Sequence, residues 1–450
     1  MRRHSASTLY APLWFFVAYV IFTVCLALFG PLDFIDFPKL KVAAYIAFVL
    51  VCCLIGYYFG VDSSKRLTLP PPRAFLPVQG RIPKAFDFIL AAGILGLIGY
   101  LVTSAGNGSL NTDLTALGET YNTTYEGYQR NTGSYSLAFI SYSVFSAPMF
   151  IASVWGMFYV RRINWPRRLI VITIILGTLL IFTLGSGKMK QLGDFVIYVI
   201  AIAAVARAAS GKGFSPRFIG ILAGVAVIGL ALFAFIVSQR YTSVGVDALN
   251  INQKTSWHVK YDTTHPVFEV FGTGIGFAVS VVCNYLSGGY YGLGLTLDSA
   301  PTWSHFLGSS YSISVIGERV FGLPSGYDVS YPYLVGNETG WGEAHWYTAF
   351  PWFASDFTFV GTGVLFGVFA FWYARAWLES IILSDPFSVL LFTLMTVGVF
   401  YVPANNQLMH SPGPVATLLL VFVLYMMGGS RRRWSIQQVW ARARAASRSS

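Results

Sequence analysis

The feature that most constrains this chain is a series of apolar segments, each about as long as the roughly 20 residues that a helix needs to cross a bilayer. Only 11% of the 450 residues are charged and 55% are hydrophobic, whereas a soluble globular chain carries about 25% charged residues. Because lipid offers no partners to backbone N–H and C=O groups, such segments must be helices that satisfy their own hydrogen bonds. The sequence therefore predicts an all-α polytopic membrane protein.

About ten transmembrane helices are predicted, within a range of ten to twelve. The ten segments are residues 10–29, 41–60, 85–103, 136–160, 168–184, 191–208, 217–238, 357–376, 387–403 and 414–429. Most connections between them are too short to bury a core of their own. Residues 1–450 are accordingly predicted to form a single integral membrane domain.

Lysine and arginine are distributed unevenly between the two sides of this bundle. Of the 30 basic residues, 21 lie in alternate connections and in the two tails, including the basic tail 430–450. Because Lys and Arg accumulate in cytoplasmic loops, both termini are predicted to be cytoplasmic. The net charge of +11 then reflects topology and attraction to anionic membrane lipids, and it does not predict nucleic-acid binding.

The opposite, outer face carries two notable loops. Residues 104–135 are polar and rich in Gly, Asn and Thr, and residues 239–356 form a loop of more than a hundred residues, far longer than an ordinary helix connection. Within the long loop, residues 268–297 are apolar but contain seven glycines. This composition predicts a re-entrant or interfacial segment rather than an ordinary span.

Three cations lie at the outer membrane boundary, where the positive-inside bias makes basic residues uncommon. Lys188 and Lys190 occupy the turn TLGSGKMKQLGD, and Arg240 follows the span 217–238. Each side chain can extend to a lipid phosphate or bind a substrate phosphate, and the presence of three cations favours the second reading. Lys is a point charge and Arg a bidentate fork, so the set suits a diphosphate. The turn lacks phosphate-loop spacing, so an ATP-driven activity is not predicted.

The long loop combines aromatic, acidic and amide side chains in the segment NETGWGEAHWYTAFPWF. Aromatic rings beside carboxylates are typical of sugar binding, because the apolar faces of sugars stack on the rings while hydroxyls need polar partners. The candidate sugar-binding residues are Glu338, Trp341, Trp346 and Tyr347. A solvated polar loop is the alternative reading for most of its ionisable residues.

Four of the six histidines lie in the same long loop, at His258, His265, His305 and His345. A zinc site is an alternative that their irregular spacing and the lack of nearby cysteines disfavour. The four cysteines lie in apolar stretches typical of small buried hydrophobes. No metal and no cofactor are therefore predicted.

Asp356 stands at the mouth of a span, in the segment FASDFTFVGTG. An ionisable group is costly at this depth and is more often functional there than in a soluble loop. Its carboxylate can cap the N-terminus of the helix or face a cavity, and both alternatives stay open.

Three segments together resemble a known family. Residues 347–377 contain an aromatic approach, an Asp-Phe-Gly-like turn at Asp356, Phe357 and Thr358, and a Gly-rich span. VCNYLSGGYYGL at 282–293 is similar to an Asn-Tyr-x-x-Gly stretch, and TLGSGKMKQL to a Gly-Ser-Arg/Lys turn. With the long outer loop before the last three spans, these segments resemble the oligosaccharide repeat unit polymerases, also called O-antigen polymerases.

The resemblance implies a metal-independent glycosyltransferase of GT-C-like architecture in the bacterial inner membrane, whose outer face is periplasmic. Such an enzyme transfers a growing glycan from undecaprenyl diphosphate to another lipid-linked oligosaccharide repeat unit, with a chain-length regulator and a flippase as partners. Under this reading a carboxylate or histidine among Glu343, His345 and Asp356 is the base that deprotonates the acceptor hydroxyl. The cations that neutralise the departing diphosphate are Lys188, Lys190, Arg240 and Arg319.

Three other functions remain alternatives at this point. An O-antigen ligase shares the lipid-diphosphate donor and the large outer loop, so that only its product distinguishes it. A lipid-linked oligosaccharide flippase or other transporter predicts related halves and charges buried in mid-span, and the predicted span interiors are almost free of charge. A purely structural scaffold gives no reason for the outer cations.

Overall fold

The computed structural model describes residues 5–64, 82–106, 120–121, 137–186, 189–254, 257–300, 302–343 and 345–428. Lys188, most of the loop 104–135 and the basic tail 430–450 lie outside these residues. Within them the regular secondary structure is helical apart from two strands of three residues each, β1 (Leu32–Phe34) and β2 (Val259–Tyr261).

The first half of the chain is a succession of helices that follow the predicted spans. They are α1 (Ala6–Leu9), α2 (Ala11–Phe29), α3 (Lys39–Ser63), α4 (Phe86–Gly106), α5 (Leu137–Phe158), α6 (Trp165–Ser186), α7 (Lys190–Ala209) and α8 (Pro216–Ser243). Prolines at the first or second position begin α2 and α8, where a missing N–H costs nothing.

The second half contains the helices of the long loop and the last spans. They are α9 (Ile251–Lys254), α10 (Pro266–Leu297), α11 (Tyr311–Phe321), α12 (Tyr331–Thr339), a 3-10 turn (Trp341–Glu343), α13 (Ala349–Leu383), α14 (Pro386–Tyr401) and α15 (Pro412–Gly428).

Seven helices of the described residues are long and apolar enough to cross a membrane. Six of them, α2, α3, α6, α7, α8 and α13, coincide with predicted spans, and the seventh is α10. The four other predicted spans correspond to shorter apolar stretches, which are Phe86–Val102 within α4, Ser143–Phe158 within α5, and the helices α14 and α15. The all-helical, multi-pass architecture is confirmed, whereas the count of ten spans stays a prediction.

Several connections meet at one end of the bundle, which we call the loop face: residues 30–38, 244–265, 298–348 and 402–411. There β1 pairs antiparallel with β2, and the amide of Ala349 donates to the carbonyl of Val402 at 2.9 Å. At the opposite end Trp155 donates its indole N–H to the carbonyl of Pro386 at 3.0 Å. The loop face therefore corresponds to the side that the charge pattern predicts to be outer.

Helix α10 begins and ends at the loop face. Near its beginning, the ring of Phe277 packs edge-on against Tyr241 at the end of α8, with centroids 6.0 Å apart. At its end, Asp298 forms an ion pair with Lys41 at the start of α3. The helix also breaks at Gly272, whose φ of 76° suits a residue without a side chain. Because α10 does not carry the chain to the opposite end, it has the arrangement expected of an interfacial or re-entrant segment.

Glycines allow α3 and α13 to pack with their backbones in contact. A Cβ atom on Gly56 would lie 1.8 Å from the carbonyl oxygen of Gly367, and one on Gly60 would lie 2.5 Å from that of Phe371. In lipid, helix association depends on such close van der Waals packing. This contact fixes the position of α13, whose first residues lie at the centre of the loop face.

Replacing Gly56 by Ala is expected to lower the thermal stability of the purified protein. A methyl group at this contact must push two backbones apart, and overpacking of this kind costs about 1–3 kcal/mol. The measurement is the apparent melting temperature in detergent. The matched control is Gly224→Ala on α8, where a Cβ meets nothing within 4 Å. Equal melting temperatures for the two variants would contradict the packing argument.

Candidate functional site

Asp356 lies in a short first segment of α13, which is separated from the rest of the helix by a break at Thr358 (φ 61°, ψ 167°). Its buried carboxylate accepts hydrogen bonds from the amides of Gly308 at 3.1 Å and Ser309 at 2.7 Å. The hydroxyls of Ser304 and Ser309 also donate to it. Each carboxylate oxygen thus accepts two bonds from the loop 304–309.

This geometry corrects the predicted role of Asp356. The carboxylate neither caps the N-terminus of its own helix nor faces an open cavity, the two alternatives that the sequence left open. A general base must be able to reach a substrate hydroxyl, and here both oxygens are already engaged in a buried site. We therefore assign Asp356 to holding the loop 304–309 in place of the predicted catalytic role.

The aromatic candidates divide into buried and exposed side chains. Trp341 and Tyr347 are buried, and the ring of Trp341 stacks on His345 with centroids 4.1 Å apart. The prediction that these two rings offer a face to a sugar is therefore wrong, because the loop folds them into its own core. Trp346 is 41% exposed and Glu338 is exposed as well, so these two can contact a ligand from the loop face.

His345 is enclosed by the same core. Its Nε2 atom is buried and has no hydrogen-bond partner. Burial and, second, the neighbouring His258 lower the pKa of His345 to about 4, so the ring is neutral at physiological pH. The neighbouring group that lowers the pKa of His345 is a histidine and not one of the predicted cations, so the geometry gives no support to His345 as the base of a diphosphate-releasing step. Glu343 belongs to the adjacent 3-10 turn, and its side chain lies outside the described structure.

Lys190 lies in the first turn of α7, beside the connection 402–411. Its ammonium forms an ion pair with the buried carboxylate of Asp194 at 2.7 Å and lies 5.6 Å from the ring centroid of Tyr401. The hydroxyl of Tyr401 donates to the backbone carbonyl of Lys190 at 3.4 Å. These contacts hold one predicted cation at the mouth of the bundle.

His410 was not among the predicted site residues, and it lies within reach of the electrostatic effect of this cation. Its ring packs against Trp352 and Tyr311, with centroids 5.6 Å and 6.1 Å away. The Nδ1 atom of His410 and the Nε1 atom of Trp352 are buried without hydrogen-bond partners. Burial and, second, the Lys190 ammonium lower the pKa of His410 to about 4. A cation, a neutral imidazole and an unused indole N–H are thus brought together.

The segment before α15 explains why His410 has this position. The hydroxyl of Ser312 donates to the backbone carbonyl of His410 at 3.0 Å, and that of Ser310 donates to Met409. The side-chain amide of Asn406 donates to the backbone carbonyl of Ser309 at 2.6 Å. The connection 402–411 is therefore bonded to the loop that Asp356 holds. A histidine between two predicted spans was the sequence signal that could have identified this residue.

Arg240 is the second cation embedded in the loop face. It is buried in the last turn of α8, with its guanidinium 3.8 Å from the ring centroid of Tyr121 and a hydrogen bond to the side chain of Tyr285. Arg319, in contrast, is exposed on α11. The structure therefore embeds Lys190 and Arg240 and leaves Arg319 at the surface.

A cleft of about 500 Å³ opens on the loop face at the end of α2. Such a volume is within the range of small-molecule sites. Aromatic and charged residues share its walls, among them Phe29, Asp33, Phe37, Lys39, Lys260 and His265.

No family model, no curated protein and no solved structure matches this chain. The resemblance to the oligosaccharide repeat unit polymerases therefore stays a prediction from the sequence segments. Across the described ranges, no group of three or more His, Cys, Asp and Glu side chains lies together as metal ligands would.

Replacing Asp356 by Ala is expected to release the loop 304–309. The amides of Gly308 and Ser309 would lose their acceptor, and each buried donor left unsatisfied costs about 1–3 kcal/mol. Hydrogen exchange should become faster in residues 304–310 while α13 beyond residue 359 stays protected. The matched control is Asp328→Ala, which removes an exposed carboxylate from the same face. Unchanged exchange in the Asp356 variant would overturn the assignment.

The buried histidines predict how stability depends on pH. His345 and His410 have folded-state pKa values of about 4, below the roughly 6.5 of an unfolded chain. The unfolded state therefore binds more protons between pH 4 and 6.5, so stability is complete above pH 6.5 and falls as the pH decreases through this window. Melting temperatures of His345→Gln should depend less steeply on pH than those of the parent protein. The exposed His305→Gln is the control, and an unchanged slope for His345→Gln would contradict the argument.

Proposed function

We propose that this protein is a polysaccharide polymerase, a glycosyltransferase that extends a glycan on undecaprenyl diphosphate with another lipid-linked repeat unit. The observation that supports it best is the group formed by Lys190, His410 and Trp352 at the mouth of the bundle. The proposal includes ten spans, a GT-C-like architecture, cytoplasmic termini and a loop face directed to the periplasm of a bacterial inner membrane. The polymerase-like sequence segments give the substrate class.

The reaction needs a leaving group, a nucleophile and a place for one proton. The oxygen of the acceptor hydroxyl forms a bond to the anomeric carbon of the growing chain, and the bond from that carbon to the diphosphate oxygen breaks. The bonding electrons leave with the diphosphate. Lys190 and Arg240 supply the positive charge that stabilises this departing anion, which is the largest electrostatic demand of the step.

His410 is our candidate for the proton acceptor, in the place of the predicted Glu343, His345 and Asp356. A neutral imidazole that bears its proton on Nε2 accepts the hydroxyl proton on Nδ1, a buried atom without a hydrogen-bond partner that substrate binding must uncover. Burial and, second, the Lys190 ammonium make the ring a weak base. A bound diphosphate would offset the Lys190 charge and raise the pKa of His410, so that the ring becomes a stronger base when the donor is in place.

The exposed side chains of Trp346 and Glu338 and the cleft at the end of α2 are suited to the sugar part of the substrates. Ring faces stack on sugars, and carboxylates accept hydrogen bonds from sugar hydroxyls. Both features lie on the loop face, as the group around Lys190 does.

The proposal is tested by the lipid-linked and surface glycans of the host organism after deletion of the gene and complementation. Deletion should remove the ladder of long chains and leave single repeat units on the carrier or core. Full-length chains retained on the carrier would identify a ligase, and an unchanged glycan profile would overturn the carbohydrate function.

Complementation with point variants then tests the site. Arg240→Ala and His410→Gln should each lower the rate of long-chain formation by about 100-fold or more, as expected for the loss of a group that acts on developing charge or on the proton. Lys254→Ala and His305→Gln, which change exposed residues of the same face, should retain the ladder. Normal chain lengths with Arg240→Ala at equal protein levels would remove this residue from the mechanism.

A further inference from the structure

The connection between α10 and α11 presents large apolar side chains to the outside. Trp303 is 57% exposed and Phe306 is 60% exposed, and their rings lie 6.0 Å apart. Phe306 in turn lies 5.5 Å from the ring of Phe357 on α13. An exposed aromatic group of this kind marks an interaction surface rather than a random surface position.

The backbone that presents these rings is strained. His305 and Phe306 have φ angles of 54° and 64°, a left-handed conformation that is uncommon for residues with side chains. Strain of this kind persists only where the surroundings impose it. Here the imposed contacts are the hydrogen bonds from Ser304, Gly308 and Ser309 to the Asp356 carboxylate, which hold the chain on both sides of the two strained residues.

The patch continues into the side of α13 that is exposed in the described part of the chain. Phe357 is 38% exposed and Val360 is 68% exposed. Val364 and Val368, which follow at intervals of one helical turn, are exposed as well. In a helix that spans a membrane, such a row of valines faces lipid. The aromatic patch is therefore the end of a surface that lipid already covers.

The length of α13 indicates the depth of the patch. Residues 359–383 follow the break at Thr358 and extend about 37 Å at 1.5 Å per residue. This length slightly exceeds the roughly 30 Å of the hydrocarbon core, so Thr358 and the adjacent Phe357 fall near the headgroup level. Aromatic residues, above all Trp with its polar N–H, concentrate at this level.

From this geometry we infer that residues 303–306 are a membrane-interface anchor, in which Trp303 and Phe306 insert at the headgroup level of the bilayer that α13 spans. Asp356 sets the depth of the anchor by fixing the loop to the helix. Trp352 lies one turn before Asp356 on the same helix segment. The anchor therefore also fixes the position of the group around His410 along the membrane normal. The inference depends on the membrane span of α13 and not on the proposed enzyme activity.

The experiment places an environment-sensitive NBD label at Phe306→Cys in a Cys25→Ala, Cys52→Ala background and reconstitutes the protein at one copy per nanodisc. The nanodiscs contain phosphatidylcholine with a nitroxide either near the headgroup or deep in the acyl chain. Glu338→Cys, an exposed position on the same face, is the control label site. We expect blue-shifted emission at position 306, at least twofold quenching by the shallow nitroxide, and weaker quenching by the deep one.

Two results would overturn the inference. Emission and quenching at position 306 equal to those at position 338 would mean that the patch faces water in a single copy, leaving a second protein chain as its partner. Stronger quenching by the deep nitroxide would place the loop in the hydrocarbon core.

The role of Asp356 is tested in the same system. Asp356→Asn or, where that variant does not fold, Ser309→Ala should reduce the shallow quenching at position 306 by about half because the loop loses its attachment. Retained quenching in both variants would show that the anchor does not depend on this carboxylate.

Discussion

The rest of this structure depends on the absence of hydrogen-bonding partners in lipid. Each backbone group within the bilayer must bond inside its own helix, and the cost of failing to do so is several kcal/mol. Irregular backbone is therefore displaced to the ends of the bundle. The two breaks within long helices, at Gly272 in α10 and at Thr358 in α13, both occur in the segments that contact the loop face. Irregular backbone, which the hydrocarbon core does not tolerate, thus forms the candidate site at the end of the bundle.

The break at Thr358 is the more consequential of the two. It lets residues 349–357 turn away from the lipid-facing helix and lie beneath the loops, where Trp352 contacts His410 and Asp356 binds the loop 304–309. The same loop is bonded to the connection 402–411 through Asn406. Two stretches distant in sequence are thus joined around one short segment. The close glycine contact between α3 and α13 fixes the position of the helix that continues from this segment.

The electrostatics of the loop face follow from the same arrangement. Lys190 is held by Asp194, and Arg240 by tyrosines, so that both cations lie at the edge of a low-dielectric region where charge acts strongly. The imidazole of His410 is neutral because it is buried and lies near one of these cations. A negatively charged ligand would offset the second of these effects, which links binding of an anion to the basicity of the histidine.

The sequence by itself determined the class of fold. Apolar segments of about 20 residues can form only helices in lipid, so all ten predicted segments overlap helices of the structure, and the charge pattern assigned the loops to two faces. It also identified Lys190, Arg240 and Asp356 as unusual, because charge at a membrane boundary is costly whatever surrounds it. The glycines of 268–297 similarly distinguished this segment from the ordinary predicted spans.

Only the tertiary structure decided what those residues do. Composition cannot separate a ring that binds a sugar from one that fills a core, and Trp341 is buried because Phe34 and Tyr291, far away in sequence, pack against it. Asp356 holds a loop because Gly308 and Ser309, nearly fifty residues earlier, direct their amides to it. His410 gained its place from ring contacts with Trp352 and Tyr311, over fifty and nearly a hundred residues away. Local patterns fix helices, since their hydrogen bonds are local, but burial and hydrogen-bond partners in loops are set by contacts that only the folded chain creates.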